Sequence, residues 1–579
     1  MDLEGKKNLK EMRETMEEKL YSRNWKRYGF DLNPFVSFGT AIIVVALVIY
    51  AIVANFEWFG LSPADETLAN LRLAITERFD WLFILITNFF ILLAIFLAFS
   101  RLGRVRLGGM QSKPEFSNFA WYSMLLSAGM GIGLMFWAVG EPLNHFNTPG
   151  PIYEGASSSV QAMSQTFLHW GLHPWAIYAV MGLSLAFFAY NKKLPLSLRS
   201  IFYPVFKDRV FGRLGDVIDL IAVLATLFGL ATSLGLGVQQ INSGLGHLIG
   251  IPVAPWVQVV LIAVITAIAT ISIISGIDKG VRILSGANMR MAFVFMIAIL
   301  LLGPTFFIFR LFASSLGSYL NDFLGSALYL SLESGEGRDW QGAWTIFYLA
   351  WWVSWSPFVG MFIARVSRGR TVREFIIAVL LIPSLISFIW LSVFGGTAFS
   401  VNEATNGALY ATVTDNLPVA LFELIDMLNI QLFQGIIVVL LSVLATIIII
   451  FFFITSSDSG SIVINAITSG GKTKTKARQR VFWAVIEGLI AAILILIGGE
   501  RALQTLQDAV IMTGLPFVIL LLFMSIILLV SLSMSYQRQQ HKRDVRKLET
   551  LIAHTDITYH HEEGSLEEQE EQEQQNKNK

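Results

Sequence analysis

The 579-residue chain contains no cysteine, and only 15% of its residues are charged. The missing cysteine excludes disulfide bonds and thiolate metal sites, and it leaves the redox compartment undetermined. The scarcity of charge excludes a soluble globular protein, because a soluble chain of this length needs far more charged side chains on its surface. With 54% hydrophobic residues and a mean hydropathy of +0.60, the composition indicates a polytopic membrane protein.

The first 33 residues also lack a short apolar run followed by a small-residue cleavage site, so no removable signal peptide is expected. Beyond them, twelve apolar stretches are each about 18–25 residues long, the length that spans a bilayer. Lipid offers the backbone no hydrogen-bond partners, so each stretch must be helical, which predicts an all-α fold. The predicted spans begin near Pro34, Trp81, Phe119, Thr166, Val217, Pro255, Arg290, Ala343, Glu374, Gln434, Val481 and Asp508.

Lysine and arginine cluster in every second loop. The basic loops are Arg101–Arg106, Lys192–Arg199, Lys279–Arg282, Arg365–Arg373 and Lys472–Arg480. The alternation predicts that both termini are cytoplasmic. It divides the chain into a cytoplasmic N-terminal tail (1–33), a twelve-helix membrane domain (34–535) and a cytoplasmic C-terminal tail (536–579).

Three segments differ from plain spans. Ser314–Ser331 mixes small, polar and apolar residues and predicts an amphipathic helix on the outer surface. Gln434–Ala466 is too long for one span and is expected to project into the cytoplasm. The tail after Ser535 begins as a basic helical pattern and ends in a Glu/Gln/Asn-rich stretch with too little apolar content to fold alone.

The third predicted span contains Gly129, Gly131 and Gly133 at alternate positions, and Glu141-Pro142 ends it on the outer side. Each glycine costs a helix about 1 kcal/mol relative to alanine. One interpretation is a small-residue surface for helix packing. The other is an unwound midpoint whose free backbone groups bind a carboxylate or a sodium ion.

Two aromatic clusters lie inside predicted spans. The fourth span carries Trp170, Trp175 and Tyr178, and the eighth carries Trp351, Trp352 and Trp355. Such clusters suit a quaternary ammonium group, which cannot donate hydrogen bonds but binds aromatic faces. Trp170 alone would fit an interfacial belt. A lipid-facing stripe in the eighth span is disfavoured, because Ser354–Pro357 would place a polar helix break in lipid. Pro174 predicts a local opening of the fourth span.

Polar residues inside the spans are few. Thr455 and Ser456 supply hard oxygen ligands of the kind sodium needs, although such hydroxyls also bond back to their own helix. Asp458 is interpreted as a cap or gate partner, and no charged residue is placed in the middle of a span, which argues against a proton relay. His169 and His173 are one turn apart without a third ligand nearby, so no metal site is expected there.

Four motifs closely resemble the betaine/choline/carnitine transporter (BCCT) family over about residues 33–536: GMGIGLMFWAVGEPL, HWGLHPWAIY, FYLAWWVSWSPFVGMFIARVSRGRTVREF and FFFITSSDSGS. The resemblance implies an aromatic box for a trimethylammonium group, made of Trp170, Trp175, Tyr178 and Trp352. It implies pathway roles for Trp351 and Trp355, and it places Met130, between Gly129 and Gly131, against the substrate carboxylate and an ion.

The resemblance also implies sodium as the coupling ion. One sodium site would combine Ser127, Met130, Phe452, Thr455 and Ser456. A second would use Thr226 and Phe358, but its second threonine falls on Leu230. Family members that exchange substrates without sodium replace residues of the ion site, so the intact Thr455-Ser456 pair favours symport.

The implied architecture is LeuT-like: two inverted five-helix repeats (119–312 and 343–532) preceded by two extra helices. The third and eighth spans would be the broken first helices of the repeats. The implied assembly is a homotrimer with the surface helix at the contact. The cytoplasmic tails would sense ionic strength or lipid, and the basic cluster Arg538–Lys547 fits either anionic-lipid binding or a positive-inside anchor.

The sequence thus predicts a sodium-coupled importer of glycine betaine, used for osmoprotection in a bacterial plasma membrane. No covalent reaction, no cofactor other than the coupling ion and no nucleic-acid partner is expected. Choline, carnitine or ectoine as substrate, exchange without sodium, and a sensor that does not transport remain the alternatives.

Overall fold

The computed structural model describes residues 18–55, 61–129, 131–152, 158–274, 278–333, 335–430, 433–472 and 475–577. These residues form helices, turns and loops, with two isolated β-bridges and no β-strand among them. The predicted all-α fold is confirmed. By its internal contacts the chain divides into a unit Met1–Ile527 and a unit Leu528–Lys579.

Fifteen longer helices build the described chain. They are α1 (Pro34–Asn55), α2 (Ala64–Phe99), α3 (Asn118–Gly129), α4 (Ile132–Asn147), α5 (Ser159–Trp170), α6 (Leu172–Ala186), α7 (Arg213–Ile249), α8 (Pro255–Ile274), α9 (Asp278–Leu302), α10 (Thr305–Asn321), α11 (Phe347–Val366), α12 (Val372–Ala404), α13 (Gln434–Thr468), α14 (Ala477–Gly498) and α15 (Ala502–Lys577).

The helices agree with a polytopic membrane protein. Ten helical runs among the described residues are long and apolar enough to cross a membrane, or eleven when the bent pair formed by α3 and α4 counts as one span. The last run, Ala477–Ile552, contains the 3-10 turn Gly499–Arg501, in which Gly499 has a φ of 51°. That turn separates α14 from α15, so a helix corresponds to each of the twelve predicted spans.

The surface is apolar and parts of the interior are polar, the reverse of a soluble protein. Ile42, Leu92 and Phe306 expose 67%, 63% and 83% of their surface, whereas Thr226 and Ser354 are fully buried. Soluble monomers rarely expose continuous apolar surface of this kind. Lipid contact accounts for both observations, because only inward-facing polar groups find partners in a bilayer.

Some helix ends differ from the sequence prediction. Helix α2 begins at Ala64, whereas the sequence predicts that the second span begins near Trp81. The prediction is late because charged residues in the first half of α2 interrupt its apolar run. The predicted excess length of the tenth span is confirmed, since α13 has 35 residues. At about 1.5 Å per residue, such a helix exceeds the ~30 Å hydrocarbon core. The segment Ser314–Ser331 includes the end of α10 and a short helix, Phe323–Ala327.

The described parts of the two tails have defined structure. Helix α15 continues through the Glu/Gln/Asn-rich end to Lys577, since glutamate and glutamine favour helices even without apolar neighbours. At the other terminus, Arg23 and Asn33 bind the buried carboxylate of Asp216 at 2.9 and 2.8 Å. The described part of the N-terminal segment is therefore attached to the start of α7.

Three helix pairs define the interior. Helix α6 packs along α11, α7 packs along α13, and α4 packs against α12. Helix α11 also contacts α3 and α13, and α4 contacts α5, so the third, fourth, eighth and tenth spans surround a common space.

Candidate functional site

Four aromatic side chains from the fourth and eighth spans meet in the interior. Trp352 on α11 lies 5.0 Å from Trp170 and 6.5 Å from Tyr178 between ring centroids, in both cases edge to face. Trp175 lies edge to face on Tyr178 at 5.3 Å. Each of the four exposes 5% of its surface or less. The structure therefore brings together the residues that the sequence assigns to the box.

The break in the fourth span positions these rings. It lies at Gly171, between α5 and α6, and not at Pro174 as the sequence suggests. A Cβ at Gly171 would come within 2.6 Å of the Phe167 carbonyl oxygen, so only glycine fits this bend. Pro174 occupies the first turn of α6. Backbone N–H groups in a first turn have no acceptor within the helix, so the N–H that proline lacks costs no hydrogen bond there.

Trp351 and Trp355 extend the aromatic surface along α11. Trp351 stacks on Trp352 at 4.8 Å and 12°, and its Nε1–H donates to Ser233 Oγ at 3.1 Å. Trp355 lies 6.4 Å from Trp351, and its Nε1 is buried without a hydrogen-bond partner among the described residues. The hydroxyl of Tyr178 also lacks such a partner. Two donors at the box thus have no acceptor in the part of the chain that the structure describes.

The glycines of the third span coincide with a helix break and with close packing against aromatic rings. Helix α3 ends at Gly129, α4 begins at Ile132, and the two helices are bent by 65°. Gly131 is extended between them (φ −163°, ψ −166°), and a Cβ there would lie 3.6 Å from Trp355. A Cβ at Gly133 would lie only 2.8 Å from Trp351 and 2.9 Å from Trp170.

The third span is therefore broken, and its glycines also leave room for the neighbouring tryptophan rings. Met130, which the sequence assigns to the substrate carboxylate and to sodium, lies outside the described residues.

The predicted break in the eighth span is wrong. Helix α11 is continuous from Phe347 to Val366, with Pro357 inside it. A proline removes the N–H that would bond the carbonyl four residues earlier. That carbonyl belongs to Val353, and the Ser356 hydroxyl donates to it at 2.7 Å. The neighbouring serine thus replaces the lost hydrogen bond and keeps the helix intact.

A cavity of about 100 Å³ collects most residues of the first predicted sodium site. Ser127, Phe452, Thr455 and Ser456 line it, together with Phe358 from the second predicted site and Trp355 from the pathway. The remaining lining residues are Ser285, Asn288, Met289, Val359, Phe362 and Ser459. Thr455 also bonds back to the Phe451 carbonyl at 2.8 Å, the alternative weighed from the sequence. Hydroxyl oxygens and aromatic faces therefore line one space below the box.

The residues of the second predicted sodium site are not gathered in this cavity. Thr226 donates to the Ala222 carbonyl at 2.6 Å and does not line the cavity that Phe358 lines. Leu230, in place of a second threonine, is fully buried and reaches toward Gly460, where a Cβ would lie 2.5 Å from its Cδ1.

Glu141 is the site residue that the sequence interpretation missed. Glu141 lies on α4 and is fully buried. Its Oε2 accepts hydrogen bonds from Trp170 Nε1–H at 2.7 Å and from the Tyr348 hydroxyl at 2.5 Å. Its Oε1 lies 2.7 Å from His169 Nδ1 and 3.3 Å from His145 Nε2. One carboxylate thus joins the third, fourth and eighth spans next to the box, and we call these five residues the Glu141 network.

The expectation that His169 has no carboxylate neighbour is therefore wrong. The possible ligand atoms of Glu141, His145 and His169 all lie within 4.8 Å of one another. Two ligands of a tetrahedral zinc ion are separated by about 3.3 Å, but Glu141 Oε1 and His169 Nδ1 are only 2.7 Å apart. That distance is a hydrogen bond, so the geometry describes a bonded network. A clue in the sequence is the placement of Glu141 and His145 one helical turn apart.

Two other acidic residues also contradict the sequence interpretation. Asp458 is not a helix cap, since it is buried inside α13, ten residues before Thr468. Glu487 lies in the middle of α14 and has no exposed surface, so a charged residue does occupy the middle of a span.

The chain is similar to known transport proteins over most of its length. The model of the betaine/carnitine/choline family transporters matches residues 36–537. A glycine betaine/proline/choline/ectoine transporter of Vibrio parahaemolyticus is 46% identical over 511 residues, covering 87% of this chain and 88% of that protein. Glycine betaine transporter 1 of the same organism is 45% identical, over 89% and 96% of the two chains. The glycine betaine transporter OpuD of Bacillus subtilis is 40% identical, over 88% and 96%.

Proposed function

This chain belongs to the betaine/carnitine/choline transporter family, and on that premise we propose that it imports glycine betaine together with sodium across a bacterial plasma membrane. It is a multi-pass membrane protein, and the members of its family are transporters and not enzymes. The proposed physiological role is osmoprotection.

The observation that carries this proposal is the assembly of Trp170, Trp175, Tyr178 and Trp352. A trimethylammonium group presents only methyl groups, so aromatic faces are its natural partners, at about 1–2 kcal/mol per desolvated contact. The zwitterion also carries a carboxylate, for which the unpartnered donors Tyr178 OH and Trp355 Nε1–H are available. A cation box with hydrogen-bond donors beside it fits a betaine better than it fits a plain apolar solute.

Coupling to sodium is supported by the cavity next to the box. Ser127, Thr455 and Ser456 contribute hydroxyl oxygens, which are suitable ligands for a hard cation. A sodium ion bound there would lie between the broken third span and α13. Its binding would favour one arrangement of those two helices, which is what coupling requires.

We further propose alternating access by movement of the bundle that contains the third and eighth spans. The proposed repeats are 119–312 and 343–532, both termini face the cytoplasm, and the assembly is a homotrimer. The C-terminal tail, with its cluster Arg538–Lys547, is proposed to respond to ionic strength or anionic lipid. These proposals follow the family resemblance and the distribution of basic loops.

Uptake of radiolabelled glycine betaine into proteoliposomes tests the function. We expect uptake driven by an inward sodium gradient and abolished when potassium replaces sodium. Uptake that needs no sodium but requires internal substrate would indicate exchange, and absence of uptake would support a sensor. Because one relative is named for betaine, proline, choline and ectoine, competition by unlabelled choline, carnitine and ectoine would define the substrate range.

Replacement of Trp352 by leucine tests the box. Removal of this ring should weaken betaine binding roughly tenfold or more, because about 1–2 kcal/mol of cation–π attraction is lost. Trp344→Leu is the control, since the described ring pairs of Trp344 are with Trp137, His145 and Tyr348 and none is with a box residue. Binding measured by isothermal titration compares the two variants, and equal losses would refute the residue assignment.

A further inference from the structure

Glu487 is a buried acidic residue for which the proposed transport site has no role. It is the eleventh of the 22 residues of α14, and its side chain has no exposed surface. Both carboxylate oxygens lack a hydrogen-bond partner among the described residues. An ionised carboxylate in this place is strongly disfavoured unless a cation neutralises it. Ionisable groups inside a membrane domain are usually functional for this reason.

The neighbours of Glu487 on α13 are also polar. The side chain of Ser457 adjoins the carboxylate, and Asp458, the next residue of α13, is also buried. Ser457 Oγ is buried and, like the carboxylate oxygens, has no partner among the described residues. Gly460 leaves the room for this arrangement, because a Cβ there would lie 3.3 Å from Glu487 Oε1. Two carboxylate oxygens and one hydroxyl are thus adjacent, and none of them has a well-formed hydrogen bond to another group among the described residues.

We propose that Glu487 and Ser457 form an internal sodium-binding site, with Asp458 adding negative charge. Oxygen ligands select hard cations. Calcium needs about six to eight oxygens, and magnesium keeps several of its waters, whereas helix carbonyls in a membrane domain are already hydrogen-bonded. A small monovalent cation is therefore the best match. The inference rests on the proposed sodium coupling and adds a second binding position to it.

This site is separate from the cavity beside the box. Thr455, Ser456 and Ser459 line that cavity, but Ser457 and Gly460 do not. Ser457 and Gly460 are three residues apart and share a different face of α13, toward α14. Sodium ions at the two positions would bind opposite sides of one helix, so each would stabilise the same placement of α13.

Thermal unfolding of the purified full-length protein without betaine tests the proposal, with sodium chloride titrated against potassium chloride at constant ionic strength. Glu487→Gln keeps the size of the side chain and removes its charge. It should raise the sodium concentration for half-maximal stabilisation by roughly tenfold. Ser457→Ala retains the carboxylate and should cause a smaller shift in the same direction. Glu403→Gln, at an exposed position on α12, is the control and should match the wild type.

The same titration in a Thr455→Ala/Ser456→Ala background separates the two sites. That background should keep a sodium response that depends on Glu487, and the triple variant should lose it. A Glu487→Gln response equal to that of its parent in both backgrounds would overturn the inference and identify Glu487 as a protonated core residue. If the cavity proposal alone fails, Thr455→Ala/Ser456→Ala will respond like the wild type while Glu487→Gln does not.

Discussion

Single side chains fix the orientation of the box rings. The indole N–H groups of Trp170, Trp351 and Trp352 donate to Glu141, to Ser233 and to the His169 carbonyl. An aromatic ring attracts a cation through its face, so the hydrogen bond at its edge decides where that face points. Glu141 contributes most to this orientation, because its carboxylate also accepts a hydrogen bond from Tyr348 and lies against two histidines.

Glu141→Gln should therefore weaken betaine binding by roughly tenfold and also lower stability. The amide keeps the size of the side chain, but only one of its two groups can accept, so charge-assisted bonds worth about 1.5–3 kcal/mol are lost. Betaine titration and thermal unfolding would measure the two effects, with the exposed Glu403→Gln as control. Wild-type affinity in Glu141→Gln would show that the network does not position Trp170.

The residues of the box could be predicted from the sequence, but the Glu141 network could not. The aromatic clusters of the fourth and eighth spans are a local pattern, visible without knowledge of the fold, and the family resemblance selects the four box residues among them. The partners of Glu141 are 4 to 207 residues away along the chain. Only the packing of α4, α5 and α11 reveals that they meet. The same is true of Glu487, whose neighbours lie on another span.

At the level of helices, glycine controls how closely the third span approaches the tryptophans. Gly133→Ala should impair betaine binding, because its Cβ would lie 2.8 Å from Trp351 and 2.9 Å from Trp170 and would displace both rings. Gly317→Ala on α10 is the matched control, since no heavy atom lies within 4 Å of the Cβ position.

The control substitution should preserve binding and stabilise the helix by about 0.5–1 kcal/mol. Titration with betaine measures the binding affinity of the two variants and tests whether Gly133 positions the rings. Normal binding in Gly133→Ala would mean that the rings can shift without loss of the box.

Helix positions followed from apolar runs, whereas helix breaks did not follow from glycine and proline alone. The third span breaks near its glycines, and the fourth breaks at Gly171. Pro357 leaves α11 unbroken, because Ser356 satisfies the carbonyl that the proline cannot. A proline thus predicts a lost hydrogen bond, but the neighbouring side chains decide whether the helix opens.

For the whole molecule, the two sides of the box differ. On one side, Tyr348 and His145 pack around Glu141, and the His145 ring lies tilted against Trp344 at 4.7 Å between ring centroids. On the other side, the cavity follows Trp355, Phe358 and Phe362 along α11, toward its basic end at Arg365. In the proposed orientation, which puts the basic loops in the cytoplasm, the cavity would lie on the cytoplasmic side and the Glu141 network would close the outer side.

This asymmetry predicts which face of the membrane gives access to the cavity. Because the chain has no cysteine, a single introduced cysteine is the only thiol in the protein that a labelling reagent can modify. Ser459→Cys, in the cavity lining, should react with an impermeant thiol reagent in inside-out vesicles much faster than in right-side-out vesicles. Ser354→Cys is the buried control on the same interior and should react in neither.

Ala411→Cys, exposed on the opposite side of the membrane domain, should show the reverse preference and thereby verify vesicle orientation. Labelling of Ser459→Cys should occur without added sodium or betaine, since the proposal places the cavity on that side. Saturating sodium with betaine should slow the reaction, because a closed, loaded site excludes the reagent. Equal reaction rates from both sides would contradict a barrier formed by the Glu141 network.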